Sequence, residues 1–171
     1  MKRALLIAAL IPVAIVAVAG GNPEFVNLPG NYLSEFSNYD VRNRGNGKQL
    51  AVLYANKTAV ESAANGVMAN GSVIVMEIYK KKLDENGNAV MNSNGLFEKG
   101  KFAAIAVMEK RDNWESGFAS EQRAGNWGFA IYNTDGSVKD NNLDCASCHI
   151  PLENQGYMFS HASLVEYSGG Q

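Results

Sequence analysis

The sequence predicts an α+β fold, a predominantly antiparallel β-sheet domain with one or two packed helices. Three observations carry that prediction: segments of period two recur through the middle of the chain, one stretch has helical period, and clusters of Asn, Asp and Gly punctuate them. Leu50-Ala51-Val52-Leu53-Tyr54 reads as a short strand. A helix follows, with Thr58 and Glu61 at capping-box spacing and Val60, Ala64, Val67 and Met68 on one side, ending near Asn70-Gly71. Gly66 and the many small residues lower its intrinsic stability, so tertiary packing must hold it. From Ser72 the period changes to two. Ile74, Met76 and Ile78 share one face, while Val73, Val75, Glu77 and Tyr79 share the other. Asp84-Glu85-Asn86-Gly87-Asn88 is a turn. Phe102 to Met108 is the next apolar segment and enters a charged patch from Glu109 to Asp112. Trp127 to Tyr132 is a further strand, closed by Asn133-Thr134-Asp135-Gly136-Ser137, and a short carboxy-terminal helix is expected between Gln155 and Glu166. No repeat, long linker or second domain is evident.

The amino terminus reads as a secretory signal peptide over residues 1–21. Met1-Lys2-Arg3 is basic, Leu5 through Ala19 is apolar apart from Pro12, and Ala17-Val18-Ala19 offers a small-x-small cleavage site. A membrane anchor fits less well, because a hydrocarbon core needs roughly 20 apolar residues. Residues 22–171 then form a single domain, exported to the periplasm or otherwise outside the cytoplasm. The full chain has 15 basic and 17 acidic residues; without Lys2 and Arg3 the balance is 13 against 17, a net charge of -4. Such a balance argues against nucleic-acid binding. The run Lys80-Lys81-Lys82 is followed at once by Asp84 and Glu85, as a solvated strand end would be.

Most of the functional information lies in Cys145-Ala146-Ser147-Cys148-His149, a C-x-x-C-H motif that marks a carboxy-terminal haem c attachment site. Two thiols add across the haem vinyl groups as thioethers, and the adjacent histidine is placed to ligate iron. The chain's only two cysteines lie in the motif, which implies one covalently attached haem per chain. A thioredoxin-like pair would stand near the start of a β-α unit. A zinc site would need about four ligands, and His161 is the only other histidine. A simple disulfide is the remaining bland alternative. His149 is the expected metal ligand. For the opposite axial position Met68, Met76, Met91, Met108 and Met158 are all available, although methionines on apolar faces more often fill cores. His161 stands twelve residues beyond His149 and would need a sharp return. With no compelling sixth ligand, an iron open on its distal side is expected.

From Phe36 to the carboxy end the chain resembles the cytochrome P-460 and cytochrome c′-beta family. The resemblance rests on Gly71-Ser72-Val73-Ile74-Val75-Met76-Glu77, Val107-Met108-Glu109-Lys110-Arg111, Gly125-Asn126-Trp127-Gly128-Phe129, the haem motif, and Tyr157-Met158-Phe159-Ser160, in that order and spacing. It implies a β-rich domain holding haem near its carboxy end. In the hydroxylamine-oxidising branch a lysine just before the strand glutamate is cross-linked to the haem. Here Met76 stands there, and a thioether has no amine for that bond. Lys80 is four residues away, more than about 10 Å along an extended strand. The resemblance also implies an acidic pocket residue in that branch, and here its neighbourhood reads Ala104-Ile105-Ala106. Both departures resemble the c′-beta branch, whose members bind gases.

That branch caps its distal pocket with phenylalanines, for which Phe36, Phe97 and Phe102 are candidates here; Met76 and Phe102 are the residues expected beside the haem, and Arg123 is a candidate for its proximal side. The resulting expectation is a mono-haem cytochrome that binds nitric oxide or a related small gas. The alternatives are an electron-transfer cytochrome with Met or His161 as sixth ligand, and a hydroxylamine oxidase, which Met76 disfavours. Whether turnover occurs stays open. The partners expected are a diatomic gas or nitrogen-oxide ligand, a redox partner protein in the second case, and a second copy of the chain, since the resemblance admits a homodimer.

Overall fold

The computed structural model describes residues 21–140 and 143–170. Its centre is one antiparallel sheet of five strands in sequence order: β1 (Ser37–Asn43), β2 (Gln49–Ala55), β3 (Val73–Lys81), β4 (Lys99–Lys110) and β5 (Trp127–Tyr132). The helices are α1 (Tyr32–Glu35), α2 (Lys57–Ala63), α3 (Cys145–His149) and α4 (His161–Gly169), and short 3₁₀ turns cover Ser120–Gln122 and Ile150–Gln155. The fold is therefore α+β, as predicted. The expected leader lies outside the described residues except for Gly21, which bridges to Ala130 at the edge of β5. Among the described residues no helix is long and apolar enough to cross a membrane.

Register divides the sheet into two faces. On the first, Leu53, Met76, Ala106 and Ile131 stand in one row, and Ala55, Ile74, Met108 and Phe129 in the next. The latter row is covered by Ala59 and Ala63 of α2, Leu164 of α4, Met158 and Trp127. The second face carries Val75, Ile105, Val107 and Tyr132, covered by Val26, Tyr32 and Phe118. Because β5 is buried on both sides, all six of its residues are buried, with no polar-apolar alternation.

Two boundaries differ from expectation. The helix starts two residues earlier: Asn56, not Thr58, is the N-cap, its side-chain oxygen accepting from Ala59 N at 2.9 Å and Val73 N at 3.1 Å. Its amide nitrogen donates to Gly71 O at 2.8 Å, so one side chain ties the helix start to the start of β3. The helix also stops at Ala63, since Gly66 turns the chain with φ +75°, which leaves Val67 exposed. Strand β1 was not anticipated. Its sequence, Ser-Asn-Tyr-Asp-Val-Arg-Asn, is that of a polar edge strand in which Tyr39 alone is buried. The turn at Asp84–Asn88 is present and a similar one follows at Asn92–Leu96; in each, the first side chain accepts two backbone N–H bonds.

Candidate functional site

The C-x-x-C-H motif folds as α3. Asp144 caps it, its carboxylate accepting from Ser147 N at 3.0 Å and Ser147 Oγ at 2.5 Å. These bonds hold the Asp144 carboxyl below the usual range. The cap sets the single turn that aligns Cys145, Cys148 and His149. Both cysteines are free thiols, Cys148 exposed and Cys145 half-buried. Burial, followed by the nearby Asp144 and Cys148 charges, pushes the Cys145 thiol up to about 11. Among the described residues no group of three or more His, Cys, Asp or Glu side chains is placed to hold a metal ion.

His149 is oriented from three sides. Its ring lies 4.6 Å from that of Phe129 and 5.1 Å, edge-on, from that of Phe159. Its Nδ1 is 2.7 Å from Tyr157 O. A carbonyl only accepts, so Nδ1 carries the proton and Nε2 keeps its lone pair. Burial lowers the His149 pKa, with the Tyr157 carbonyl opposing the shift, and the ring is neutral near pH 7. A carbonyl held on Nδ1 in this way fixes the orientation and tautomer of an imidazole that ligates through Nε2.

The carbonyl arrives there through a sharp reversal. Gly156 (φ 60°) and Tyr157 (φ 63°) are consecutive left-handed residues, and Tyr157 is the only non-glycine described with positive φ. The Tyr157 ring in turn packs on Gly125, where a Cβ would lie 2.6 Å from the ring carbon Cε2. Gly125 is thus required twice, by close approach and by its own φ of 57°.

Cys145 packs against the first face of the sheet, touching the cluster of Ile78, Ala104 and Ile131 together with Met76 and Ala106. Strand β4 presents only alanines in these rows, so the floor is shallow, and Met76 and Ala106 remain half-exposed. Leu143, Ile150 and Phe159 around the motif are also exposed. Two thiols, an imidazole with a free Nε2, and an apolar shelf fit a flat apolar macrocycle: Cys145 and Cys148 would hold it and His149 Nε2 would face its iron.

The other expected residues are distributed as follows. Of five candidate methionines, Met68, Met108 and Met158 are buried in the helix-covered core, Met91 is exposed on the hairpin beyond β3, and Met76 is half-exposed and packs, as Cys145 does, on the Ile78, Ala104 and Ile131 cluster. His161 begins α4 and lines a cleft of about 240 Å³ with Met68, Lys110, Trp127 and Tyr157, away from the shelf. Phe102 is not brought to the motif. A register shift between Ile78 and Tyr79 turns it to the second face, where it stacks on Tyr79 at 4.8 Å. Phe36 packs on that face too, and Phe97 lies under Lys81 in the hairpin. Arg123 sits over Phe118. The aromatic rings that do flank His149, Phe129 and Phe159, fall in two of the quoted landmark segments, but nothing in their local pattern marks them as pocket residues.

A family model, Cytochrome P460, matches residues 29–160, which include all five strands and the whole motif. No match is found among curated proteins. The match spans most of the chain, and with it the chain belongs to the cytochrome P460 family and is a haem cytochrome.

Proposed function

We propose that the protein is an exported c-type cytochrome, with one haem bonded to Cys145 and Cys148, that binds nitric oxide or a related small gas at an iron left open opposite His149. The observation that carries this reading is the hydrogen bond from His149 Nδ1 to Tyr157 O, which commits Nε2 to a single task. When bound, the haem supplies an iron centre for a diatomic ligand. The chain orients one imidazole and offers a shelf whose described strand residues, Met76, Ile78, Ala104, Ala106 and Ile131, are apolar. Glu77, the nearest strand carboxylate in sequence, faces the opposite side and is engaged by three tyrosines. Met76 supplies no amine for the lysine cross-link of the hydroxylamine-oxidising branch, and Lys80, exposed at the end of the same face, is no substitute for a lysine at position 76.

A second reading has a specific observation in its favour. Met76 is half-exposed and shares with Cys145 the apolar cluster of Ile78, Ala104 and Ile131, so a Met76 thioether on iron would make the protein an electron carrier. The visible spectrum of the ferrous protein separates the two. High-spin iron that takes up nitric oxide or carbon monoxide at once supports gas binding; a sharp low-spin spectrum abolished by Met76→Ala supports electron transfer. Intact mass of the mature chain plus one haem, retained through acid-acetone extraction, tests the covalent attachment.

A further inference from the structure

The second face of β3 holds a group that gas binding does not use. Glu77 is buried, 5 % exposed, and receives three phenol hydroxyls: Tyr32 Oη on Oε1 at 2.9 Å, and Tyr79 Oη and Tyr54 Oη on Oε2 at 3.1 and 3.2 Å. The three come from α1, β2 and β3, so the convergence is tertiary and not a local turn. Four rings adjoin one another here. Tyr32 meets Tyr54 edge-on at 5.5 Å, and Tyr79 stacks on Phe102 at 4.8 Å. Tyr54 and Tyr79 are half-exposed, so the group opens to solvent at one side, while Glu77 is bonded through the chain to Met76 on the shelf.

A carboxylate buried among phenols is a proton acceptor already in place. Oxidising an isolated phenol leaves a cation radical that must shed its proton; a hydrogen-bonded base takes that proton as the electron leaves, and the oxidation becomes much easier. We infer that Tyr32, Tyr54, Tyr79 and Glu77 form an oxidisable relay that draws damaging oxidising equivalents from the haem side of the sheet to the surface. The inference rests on the haem reading above for its oxidant. Hydrogen peroxide taking two electrons and, from solvent, two protons at a haem held by Cys145, Cys148 and His149 would leave as two waters, and the relay would supply the electrons one at a time. One electron comes from a phenol of the relay; its O–H bond breaks, the proton passes to a Glu77 carboxylate oxygen, and a neutral phenoxyl radical stands beside a neutral carboxylic acid. A small reductant at the exposed edge of Tyr54 or Tyr79 then returns the electron, and Glu77 returns the proton. The second equivalent follows the same route.

The test uses holoprotein whose haem content has been measured, treated with one equivalent of hydrogen peroxide and freeze-quenched for EPR. In parallel, photogenerated tris(bipyridine)ruthenium(III) supplies a one-electron oxidant that needs no haem. A tyrosyl radical is expected with both, with a nitroso spin trap placing it by peptide mapping on Tyr32, Tyr54 or Tyr79. Glu77→Gln should lower its yield about tenfold or more, a modest part of what a positioned base contributes. The paired Tyr54→Phe and Tyr79→Phe change keeps the carboxylate and should move the trapped adduct elsewhere. A radical mapping to Tyr39, Tyr132, Tyr157 or Tyr167, or one whose yield is unchanged in Glu77→Gln, overturns the relay. Radical formation with ruthenium but not with peroxide in haem-loaded protein overturns its link to the haem, and a chain that carries no haem instead overturns the functional reading.

Discussion

Met76 and Glu77 are neighbours in β3 whose side chains meet opposite surroundings. Met76 lies on a half-exposed shelf of alanine, isoleucine and one cysteine, with no polar atom in its cluster. Glu77 is buried and takes three hydroxyl hydrogen bonds. The strand's period of two creates this difference, since a shift of one residue would put the carboxylate on the shelf and the thioether among the tyrosines. An apolar ligand surface gains from lacking polar partners; a buried carboxylate survives only by having them. The same sheet thus carries one apolar, half-exposed surface and one closed by its own side chains.

The largest effect is expected at the open side. Cys148→Ala removes one of two thioether donors and should abolish or nearly abolish covalent haem, read as loss of peroxidase-active haem staining on a denaturing gel and of the haem increment in intact mass. The apo fold should change little, because Cys148 is exposed. Stable covalent haem at wild-type level in this variant would break the assignment of the shelf.

The closed side answers with stability. Glu77→Ala leaves three phenol hydroxyls without their acceptor and should cost about 3 kcal/mol or more in urea unfolding, since hydrogen bonds to charged groups contribute about 1.5–3 kcal/mol each and do not simply add. Alkaline titration sharpens the point. Burial, followed by Glu77, pushes Tyr54 and Tyr79 up to about 12 and Tyr32 higher still. Folded values above the unfolded value of about 10 mean that their contribution is fully present below that pH and is lost as pH rises through the folded pKa. Absorbance at 295 nm should show these phenols ionising late, close to alkaline unfolding; ionisation of all the tyrosines near pH 10 in folded protein would contradict the buried network.

How much of this was legible beforehand follows from the same physics. Strand β3 is legible as alternation, β2, β4 and β5 as short apolar runs, and the motif as five consecutive residues, because all of these signals are local. Strand β1 was missed because an edge strand buries little and its residues are polar. The two faces of β3 were read correctly, yet the capping phenylalanines were not: Phe102 is turned over by a register shift that no local pattern announces. The His149–Tyr157 bond was equally invisible, because it depends on a left-handed pair and on the fit of a ring over Gly125.

That fit supplies an intermediate effect. Gly125→Ala must place a Cβ against the Tyr157 ring and hold a non-glycine residue at φ 57°, for a cost of about 2–3 kcal/mol from overpacking and left-handed strain together. Displacing Tyr157 also loosens its carbonyl from His149, so the haem protein should show a shifted reduction potential and a broadened spectrum. A Tyr157→Phe control keeps the carbonyl and the ring, and should leave both readouts near wild type.

The smallest effect is expected at the cap of α3. Asp144→Ala removes the acceptor for Ser147 N and Oγ, but the site is exposed and solvent substitutes for much of the loss, so about 0.5 kcal/mol is expected in urea unfolding. The sign with pH is fixed by the lowered folded pKa: the contribution is present above the unfolded carboxylate value and disappears as pH falls through the folded one. Wild type and Asp144→Ala should therefore differ at pH 7 and converge in acid. Asp144→Asn keeps an acceptor without the charge and should recover most of the pH 7 difference while losing its pH dependence. If the three proteins instead stay equally spaced from pH 7 down through the carboxylate range, the charge at Asp144 adds nothing to the turn that aligns the two cysteines with His149, and the backbone of α3 must be set by its packing on β5 and on the two 3₁₀ turns.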